Sequence, residues 1–284
     1  MIDLHTHTNL SDGSCTPAAL LEEARQIGLT ALAITDHDTL AGYDDALAAD
    51  GYALELVCGT EVSTLFDGAP APGASMHVLG YFPGGPPDAG FRAWLSAISS
   101  TRRDRNLQLM KKLQSANISI SWDDFPDLGP DRTARPHLAR VLVEKGYAFD
   151  YQSAFDRYLN DVALAGVERR LPSTQEAIGR IRGSGGIASL AHPFRIRSDQ
   201  ALSLTEVIEE LVRSGLDAVE VYHSDHSPKD SELLRETAAR FGLLLTGGSD
   251  YHGDNKPDIR LGSGRSGNIC LSDELLRKMK ERVR

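Results

Sequence analysis

Short apolar runs alternate with amphipathic stretches on both sides of a longer polar region in the middle of the chain. Seven of these runs have the length and continuity of buried β-strands, and they cover residues 2–4, 31–35, 54–58, 76–81, 186–190, 218–222 and 243–246. Continuous apolar strands separated by helices are typical of a parallel sheet with helices packed on its faces. The pattern therefore predicts an α/β fold.

Helix signals occupy the intervals between most of these runs. Thr16 and Pro17 supply an N-cap and a proline at the first helical position, and this helix runs towards Gly28. Ser227 with Pro228 begins a second helix of the same kind, which ends near Gly242. Further helices are predicted at 39–49 and 205–213 and from residue 272 onwards. The stretch 66–75 is rich in Gly, Pro and Ala, and it is predicted to be a loop or a hairpin connection.

The pattern changes after the Pro- and Gly-rich segment 83–87. Residues 91–113 are charged and helical in character, and 114–170 carry helix and turn signals without a convincing buried strand. We therefore predict an inserted, mostly helical subdomain at 98–168 that covers the substrate site. The α/β domain then consists of residues 1–97 and 169–284.

The composition limits the location and the partners of the protein. The 284 residues contain no apolar stretch long enough to span a bilayer, and the chain starts with a predicted core strand instead of a signal peptide. Three cysteines without a CxxC spacing predict reduced thiols, so we expect a cytoplasmic protein. A formal net charge of −10 disfavours binding of long duplex nucleic acid through a basic face, but it leaves room for a small anionic substrate held through metal ions. Neither membrane contact nor an obligate protein partner is predicted.

Histidine and carboxylate residues recur at the ends of the predicted strands. Six of the nine histidines lie in short motifs of this kind, and two of the motifs have ligand-type residues spaced by two, which places both side chains on one side of a strand. The candidate metal ligands are His5, His7, Asp12, His37, Glu61, His77, His192, Asp250 and His252.

Each of these residues has an ordinary structural interpretation when it is taken alone. Asp12 is a turn residue, Glu61 a solvated loop carboxylate after its strand, and His77 a core histidine. Nine ligand-type residues beside successive strands are better explained by one multinuclear metal site. The set contains nitrogen and oxygen donors and no thiolate, which suits Zn²⁺, Mn²⁺ or Fe²⁺. Ligands drawn from many strands favour a closed or nearly closed barrel with its site at the carboxyl ends of the strands, and a doubly wound open sheet is the alternative.

The motifs resemble those of the PHP (polymerase and histidinol phosphatase) family, within the amidohydrolase-like superfamily. The segments that carry the resemblance are 5–8, 35–38, 59–61, 192–193 and 248–252. The resemblance implies a distorted (β/α)7 barrel with two to three divalent ions. One ion would be held by His5, His7, Glu61 and Asp250. Glu61 would bridge to a second ion, completed by His77 and His192. Asp12, His37 and His252 would hold the third.

Segments of the predicted insertion, at 135–140, 143–147 and 155–159, resemble one branch of that family, as does 192–195. This branch contains nucleoside 3′,5′-bisphosphate phosphatases and RNase AM-like 5′-to-3′ exoribonucleases. It implies a phosphoric monoester hydrolase that removes the 3′-phosphate of nucleoside 3′,5′-bisphosphates, for example converting pAp to AMP with a metal-activated hydroxide. The alternatives are a 5′-to-3′ exoribonuclease on short 5′-phosphorylated RNA and a histidinol-phosphate phosphatase. A non-catalytic PHP interaction module is the alternative that is not an enzyme.

Residues above the metal site should select the substrate. Arg135 and Arg195 are candidate phosphate clamps because a guanidinium binds phosphate with two parallel hydrogen bonds, and surface ion pairs are the alternative role of each. His137 is a further candidate for substrate binding. His223 ends a predicted strand at the same rim, where an imidazole can act as the general acid for the leaving oxygen.

Overall fold

The computed structural model of the protein describes residues 1–49, 54–68, 74–125, 129–130, 133, 135–160, 167, 170–196 and 203–283. The chain forms two compact units, one comprising Met1–Leu95 with Leu171–Arg284 and the other Ser96–Arg170. Parts of the predicted connection at 66–75 and of the predicted insertion at 98–168 lie outside the described residues. None of the helices in the described ranges is long and apolar enough to cross a membrane.

The first unit is built on a sheet of seven strands, the number that the sequence predicted, and these strands follow one another in chain order. The strands are β1 (Ile2–Asp3), β2 (Ala31–Ile34), β3 (Glu55–Phe66), β4 (Ala74–Phe82), β5 (Ile187–Leu190), β6 (Ala218–His223) and β7 (Leu244–Gly248). A small hairpin of β8 (Ile259–Arg260) and β9 (Gly264–Arg265) follows them.

The prediction of a wholly parallel sheet was wrong for one strand. β4 runs antiparallel to both of its neighbours, whereas the pairs β1–β2, β2–β3, β5–β6 and β6–β7 are parallel. β3 is also much longer than its predicted range of 54–58, because it continues to Phe66 and forms a long hairpin with β4. The hairpin brings the beginning of β4 to the same end of the sheet as the carboxyl ends of the parallel strands.

The two edges of the sheet approach each other just beyond β1 and β7, so the sheet is nearly closed into a barrel. The backbone N–H of Asp250 donates to the carbonyl of His5 (2.8 Å), and the N–H of His7 donates to the carbonyl of Tyr251 (2.9 Å). A Cβ atom at Gly248 would lie 2.3 Å from the backbone nitrogen of His5, so only glycine permits this approach. The predicted distorted (β/α)7 barrel is confirmed.

The Asp3 carboxylate reinforces this closure from inside the protein. It is fully buried and accepts hydrogen bonds from the backbone N–H groups of Ser249 (2.9 Å) and Gly262 (2.8 Å) and from the hydroxyl of Ser249 (2.5 Å). These donors tie the first strand to the segments that follow the last one. Apolar residues, including Leu4, Tyr81 and Ile187, pack together in the core of this unit.

The helices of the first unit begin and end close to their predicted caps. Thr16 Oγ1 accepts from the N–H of Ala19 at the start of the first helix, and the helix that Ser227 caps ends at Gly242, whose φ of 66° is left-handed. The helices are α1 (Pro17–Gln26), α2 (Ala41–Ala48), α6 (Thr174–Gly183), α7 (Leu204–Arg213), α8 (Pro228–Phe241) and α9 (Glu274–Arg282), with α3 to α5 given next.

The second unit is mostly helical in its described part. The boundary between the units falls inside α3 (Ala89–Ser115), which is followed by α4 (Arg135–Glu144), α5 (Tyr151–Ala154) and a π-helical turn at Phe155–Leu159. Buried apolar residues such as Leu109, Leu138 and Leu142 form a core of its own. The role of this unit as a cover for the substrate site stays a prediction.

Candidate metal centre

The nine predicted ligand residues lie at one end of the barrel. His5 and His7 follow β1, His37 follows β2, His192 follows β5, and Asp250 with His252 follows β7. Glu61 lies inside β3, so the prediction that it follows a strand was wrong. Glu61 pairs with Leu79 and Ser63 pairs with His77 across the β3–β4 hairpin. Because β4 is antiparallel, His77 near its start reaches the same rim.

Glu61 lies at the centre of the cluster, and its two oxygens face different histidines. Its Oε2 is 3.4 Å from His5 Nε2, 3.2 Å from His7 Nε2 and 3.3 Å from His37 Nδ1. Its Oε1 is 2.7 Å from His77 Nδ1 and 2.8 Å from His192 Nε2. A carboxylate between two groups of imidazoles has the position expected of a bridging ligand between two cations.

Two further carboxylates complete the cluster. Asp12 Oδ1 lies 3.4 Å from His7 Nδ1 and 3.3 Å from His252 Nε2. Asp250 Oδ1 lies 3.4 Å from His7 Nε2 and 3.6 Å from His5 Nε2. The structure thus brings all nine predicted residues together. Within the described chain, ligand atoms of eight of them and of His223 form five triads whose atoms lie within 4.8 Å of one another, and His192 joins the cluster through Glu61.

The buried polar atoms of the cluster fit divalent cations. His5 Nε2, His7 Nε2 and His37 Nδ1 are buried and have no hydrogen-bond partner. A buried polar atom without a partner costs about 1–3 kcal/mol, so three of them in one cluster call for a ligand. Imidazole and carboxylate donors without thiolate are suited to Zn²⁺, Mn²⁺ or Fe²⁺.

Hydrogen bonds on the far side of the rings fix which nitrogen faces the cluster. His5 Nδ1 lies 2.7 Å from Oε1 of Glu220, and His252 Nδ1 lies 2.8 Å from the carbonyl of Asp250. Both acceptors require a proton on Nδ1, which leaves the Nε2 lone pair of each neutral ring available for a cation. Sequence reasoning missed Glu220; the available signal was a carboxylate in the middle of the apolar strand β6.

Glu220 also supports the backbone of a second candidate ligand. Its Oε2 accepts from the N–H of His192 at 2.7 Å. The backbone of His192 has a φ of 26°, which a non-glycine residue rarely adopts. The fully buried Glu220 side chain therefore holds His5 by its ring and His192 by its main chain.

The charges of the cluster are interdependent in the absence of cations. Burial opposes ionisation of Glu61, but His37, His77 and His5 together hold the pKa of this carboxyl well below its usual range. Burial likewise opposes the charge on His7, yet the neighbouring carboxylates of Asp250 and Glu61 raise its pKa to about 9. Burial lowers the pKa of His77 to about 4. The carboxylates of Asp12, Glu61 and Asp250 are therefore ionised, and a proton on His7 offsets part of their negative charge.

The orientation of His223 differs from that of the candidate ligands. Its Nδ1 accepts from the backbone N–H of Asp225 at 3.0 Å, so the neutral ring carries its proton on Nε2. That Nε2 is buried, has no hydrogen-bond partner and lies 3.3 Å from Asp250 Oδ2. His223 therefore presents a proton donor to the cluster and not a lone pair.

The structure places the predicted substrate residues in different units. Arg195, in a short 3₁₀ turn after β5, donates to Asp250 Oδ2 (2.8 Å) and through Nε to Asp225 (2.9 Å). Arg135 and His137 lie on α4 of the second unit, where Arg135 donates to the carbonyl of Leu159 and His137 is buried. Their contact with substrate stays a prediction. Sequence reasoning also missed Lys256, whose Nζ lies 2.7 Å from Asp250 Oδ2.

Comparison with known proteins identifies the relatives of this chain. The family model described as "PHP domain" matches residues 3–168. A 5′-3′ exoribonuclease of Haemophilus influenzae is 32% identical over 88% of this chain and 89% of its own length. A 3′,5′-nucleoside bisphosphate phosphatase of Chromobacterium violaceum is 31% identical, with coverage of 88% and 87%. A phosphoribosyl 1,2-cyclic phosphate 1,2-diphosphodiesterase of Eggerthella lenta is 32% identical, with coverage of 88% and 94%.

Solved structures of hydrolases are also similar to this chain. A protein of Chromobacterium violaceum, described as an amidohydrolase with bound sulfate and no metal, matches 99% of this chain and 96% of its own with a TM-score of 0.81 and 30% identity. A Bifidobacterium adolescentis protein, provisionally described as a metal-dependent phosphoesterase, also matches 99% of this chain and 96% of its own, with a TM-score of 0.79 and 32% identity. The fold, the cluster and these relatives define a metal-dependent phosphoesterase. The chain belongs to the PHP family.

Proposed function

We propose that the protein removes the 3′-phosphate of nucleoside 3′,5′-bisphosphates such as pAp, which yields a 5′-mononucleotide. The observation that carries this proposal is the convergence of unpartnered buried imidazole nitrogens around Glu61, in a chain similar over 88% of its length to a bisphosphate phosphatase. The related structure that holds sulfate without metal also supports a site for a tetrahedral anion.

The residues that would hold two to three divalent ions are the nine of the cluster, with Glu61 between two groups of rings. When bound, divalent cations supply Lewis-acid chemistry, because they lower the pKa of water and neutralise charge that develops on phosphoryl oxygens. Mn²⁺, Zn²⁺ and Fe²⁺ are the candidates. Glu220 would keep the Nε2 atom of His5 directed at the cluster.

Two residues beside the cluster have proposed roles towards the substrate. Arg195 would bind phosphate oxygen, since its guanidinium is positioned by Asp225 at the edge of the cluster. His223 would stabilise the leaving oxygen by donating a hydrogen bond from its Nε2–H, because its Nδ1 accepts from the N–H of Asp225. Arg135 and His137 of the second unit are proposed to bind the part of the substrate beyond the reacting phosphate.

Hydrolysis of short 5′-phosphorylated RNA from the 5′ end is the second candidate function. It is favoured by the similarity to the exoribonuclease of Haemophilus influenzae, which covers as much of this chain as the similarity to the phosphatase does. One site serves both reactions if a bound 5′-phosphate places the next 3′-linked phosphorus at the cluster. Histidinol phosphate is a less favoured substrate.

Assays of the metal-loaded protein with three substrates distinguish these functions. Release of phosphate from pAp, release of mononucleotides from a 5′-phosphorylated oligoribonucleotide, and hydrolysis of phosphoribosyl 1,2-cyclic phosphate are measured under the same conditions. The proposal predicts the highest kcat/KM for pAp. A higher kcat/KM for the oligoribonucleotide would favour the exonuclease, and no hydrolysis of either nucleotide substrate would contradict the proposal. Glu61→Gln serves as the matched inactive control.

A further inference from the structure

The two oxygens of the Asp250 carboxylate face different kinds of side chains. Its Oδ1 faces the imidazoles, at 3.4 Å from His7 Nε2 and 3.5 Å from His252 Nδ1. Its Oδ2 accepts from Arg195 Nη1 at 2.8 Å and from Lys256 Nζ at 2.7 Å. His223 Nε2 lies 3.3 Å from the same oxygen. Three proton donors, two of them on basic side chains, thus converge on the Oδ2 atom of Asp250.

Arg195 is held by more carboxylates than Lys256 is. Arg195 is fixed by a second carboxylate, Asp225, which in turn receives Arg265. For Lys256, Asp250 is the carboxylate partner within the described chain, and the lysine side chain is 30% exposed whereas that of Asp250 is 2% exposed. An ammonium on a flexible stem that is partly open to solvent can exchange one anionic partner for another.

The local sequence places Lys256 at this position. Gly253–Asn255 forms a single 3₁₀ turn directly after His252, and Gly253 has a left-handed φ of 61°. The turn redirects the chain so that Lys256, six residues after Asp250, returns to the carboxylate. The same strand end therefore supplies two candidate metal ligands and one cation.

We propose that Lys256 is a substrate-binding residue whose ammonium group binds a non-bridging oxygen of the phosphate that is hydrolysed. A phosphate monoester carries more negative charge than a carboxylate that already shares its charge with Arg195, so the ammonium gains by the exchange. Arg195 and His223 remain beside it, which gives the phosphate three donors from one side. This inference rests on the proposed phosphoesterase site, and it does not depend on pAp being the substrate.

Binding of inorganic phosphate to the metal-loaded protein, measured by calorimetry, tests the inference. Lys256→Met removes the charge and keeps the length of the stem, Lys256→Arg keeps the charge, and Lys229→Met on the exposed face of α8 is the matched control. Lys256→Gln is a second neutral variant if Lys256→Met does not fold. The metal content of every variant is measured by elemental analysis before the titration.

We expect the Kd for phosphate to rise about 10- to 100-fold in Lys256→Met at unchanged metal content, since a charge-assisted hydrogen bond is lost. Lys256→Arg should recover most of the affinity, and Lys229→Met should bind as the unmodified chain does. Unchanged phosphate affinity in both neutral variants would overturn the inference, as would a loss of bound metal that accounts for the weaker binding. If pAp is not hydrolysed but phosphate binding weakens as expected, the proposed substrate is wrong and the role of Lys256 stands.

Discussion

His5 Nδ1 and Glu220 Oε1 form a 2.7 Å hydrogen bond between two fully buried side chains, one following the first strand and the other inside the sixth. The bond sets the tautomer of His5 and directs its Nε2 towards Glu61. Burial alone would raise the pKa of Glu220, but His5 lowers it to about 2, so this carboxylate stays ionised. A carboxylate–histidine pair of this kind orients a metal ligand.

Replacement of Glu220 by Gln should weaken metal binding while it preserves the shape of the side chain. The amide oxygen can still accept from His5, but the amide group cannot also accept from the N–H of His192. We expect the affinity for Mn²⁺ to fall about 10- to 100-fold, as is typical when a partner of a metal-ligating histidine is lost. Calorimetric titration of the metal-free chain measures this change. Glu236→Gln, an exposed change on α8, is the control, and equal affinities for the two variants would contradict the role of Glu220.

The pKa of His7, raised to about 9, predicts opposite pH dependences for stability and for metal binding. The folded metal-free chain holds this proton more strongly than the unfolded chain, whose histidine has the ordinary value of 6.5. The stabilisation is therefore complete below pH 6.5 and is lost as the pH rises through about 9. Metal must displace the proton, so its affinity should increase over the same interval.

Two measurements check this pair of trends. The melting temperature of the metal-free chain should decrease between pH 6.5 and 9, and calorimetry in buffers of different ionisation enthalpy should show proton release on metal binding. The His7→Asn variant should lose part of the release. Metal binding without proton release at pH 7 would show that His7 is neutral in the metal-free chain.

Replacement of His223 by Asn should lower the rate with substrates that have a poor leaving group. The Nε2–H of His223 is the hydrogen-bond donor proposed for the leaving oxygen, and loss of one such donor typically costs about 10²- to 10³-fold in kcat. We expect kcat for pAp to fall by about 100-fold or more. Steady-state kinetics with pAp measures this change.

A substrate with a good leaving group provides the control for this variant. A nitrophenolate leaves without protonation, so hydrolysis of 4-nitrophenyl phosphate should be much less affected than hydrolysis of pAp. An unchanged rate with pAp would exclude a role of His223 at the leaving oxygen. Equal losses with both substrates would indicate that the residue acts by supporting Asp250 instead.

Removal of the Asp3 carboxylate should destabilise the barrel at its closure. Asp3→Ala would leave the buried N–H groups of Ser249 and Gly262 without their acceptor. We expect the free energy of unfolding to fall by about 3 kcal/mol, because each unsatisfied buried group costs about 1–3 kcal/mol. Urea denaturation followed by circular dichroism measures the loss. Asp45→Ala, at an exposed position on α2, should change the midpoint little, and comparable losses in both variants would contradict the role of Asp3.

The elements that could be predicted are those whose signal is local. The caps at Thr16 and Ser227 and the glycine at 242 were visible because capping depends on a few adjacent residues. The seven strands were visible as apolar runs. The candidate ligands were recognisable because imidazole and carboxylate side chains are unusual beside buried strands, and the structure brings all nine together.

The features that were missed depend on partners distant in the chain. An apolar run does not encode the direction of a strand, so the antiparallel orientation of β4 and the position of Glu61 inside β3 required the hairpin itself. Glu220 and Lys256 belong to no sequence motif, so their residue types alone did not indicate a role at the site. Their importance comes from His5, which is 215 positions from Glu220, and from a single turn that returns Lys256 to Asp250.

The metal content of the purified chain tests the central claim most directly. The protein is stripped with a chelator, saturated separately with Mn²⁺ and with Zn²⁺, desalted and measured by elemental analysis, with Glu61→Gln treated in parallel. The account predicts two to three retained ions per chain in the unmodified protein and fewer in the variant, because Glu61 contacts rings on both sides of the cluster. No retained metal after saturation, or equal retention by the variant, would contradict it.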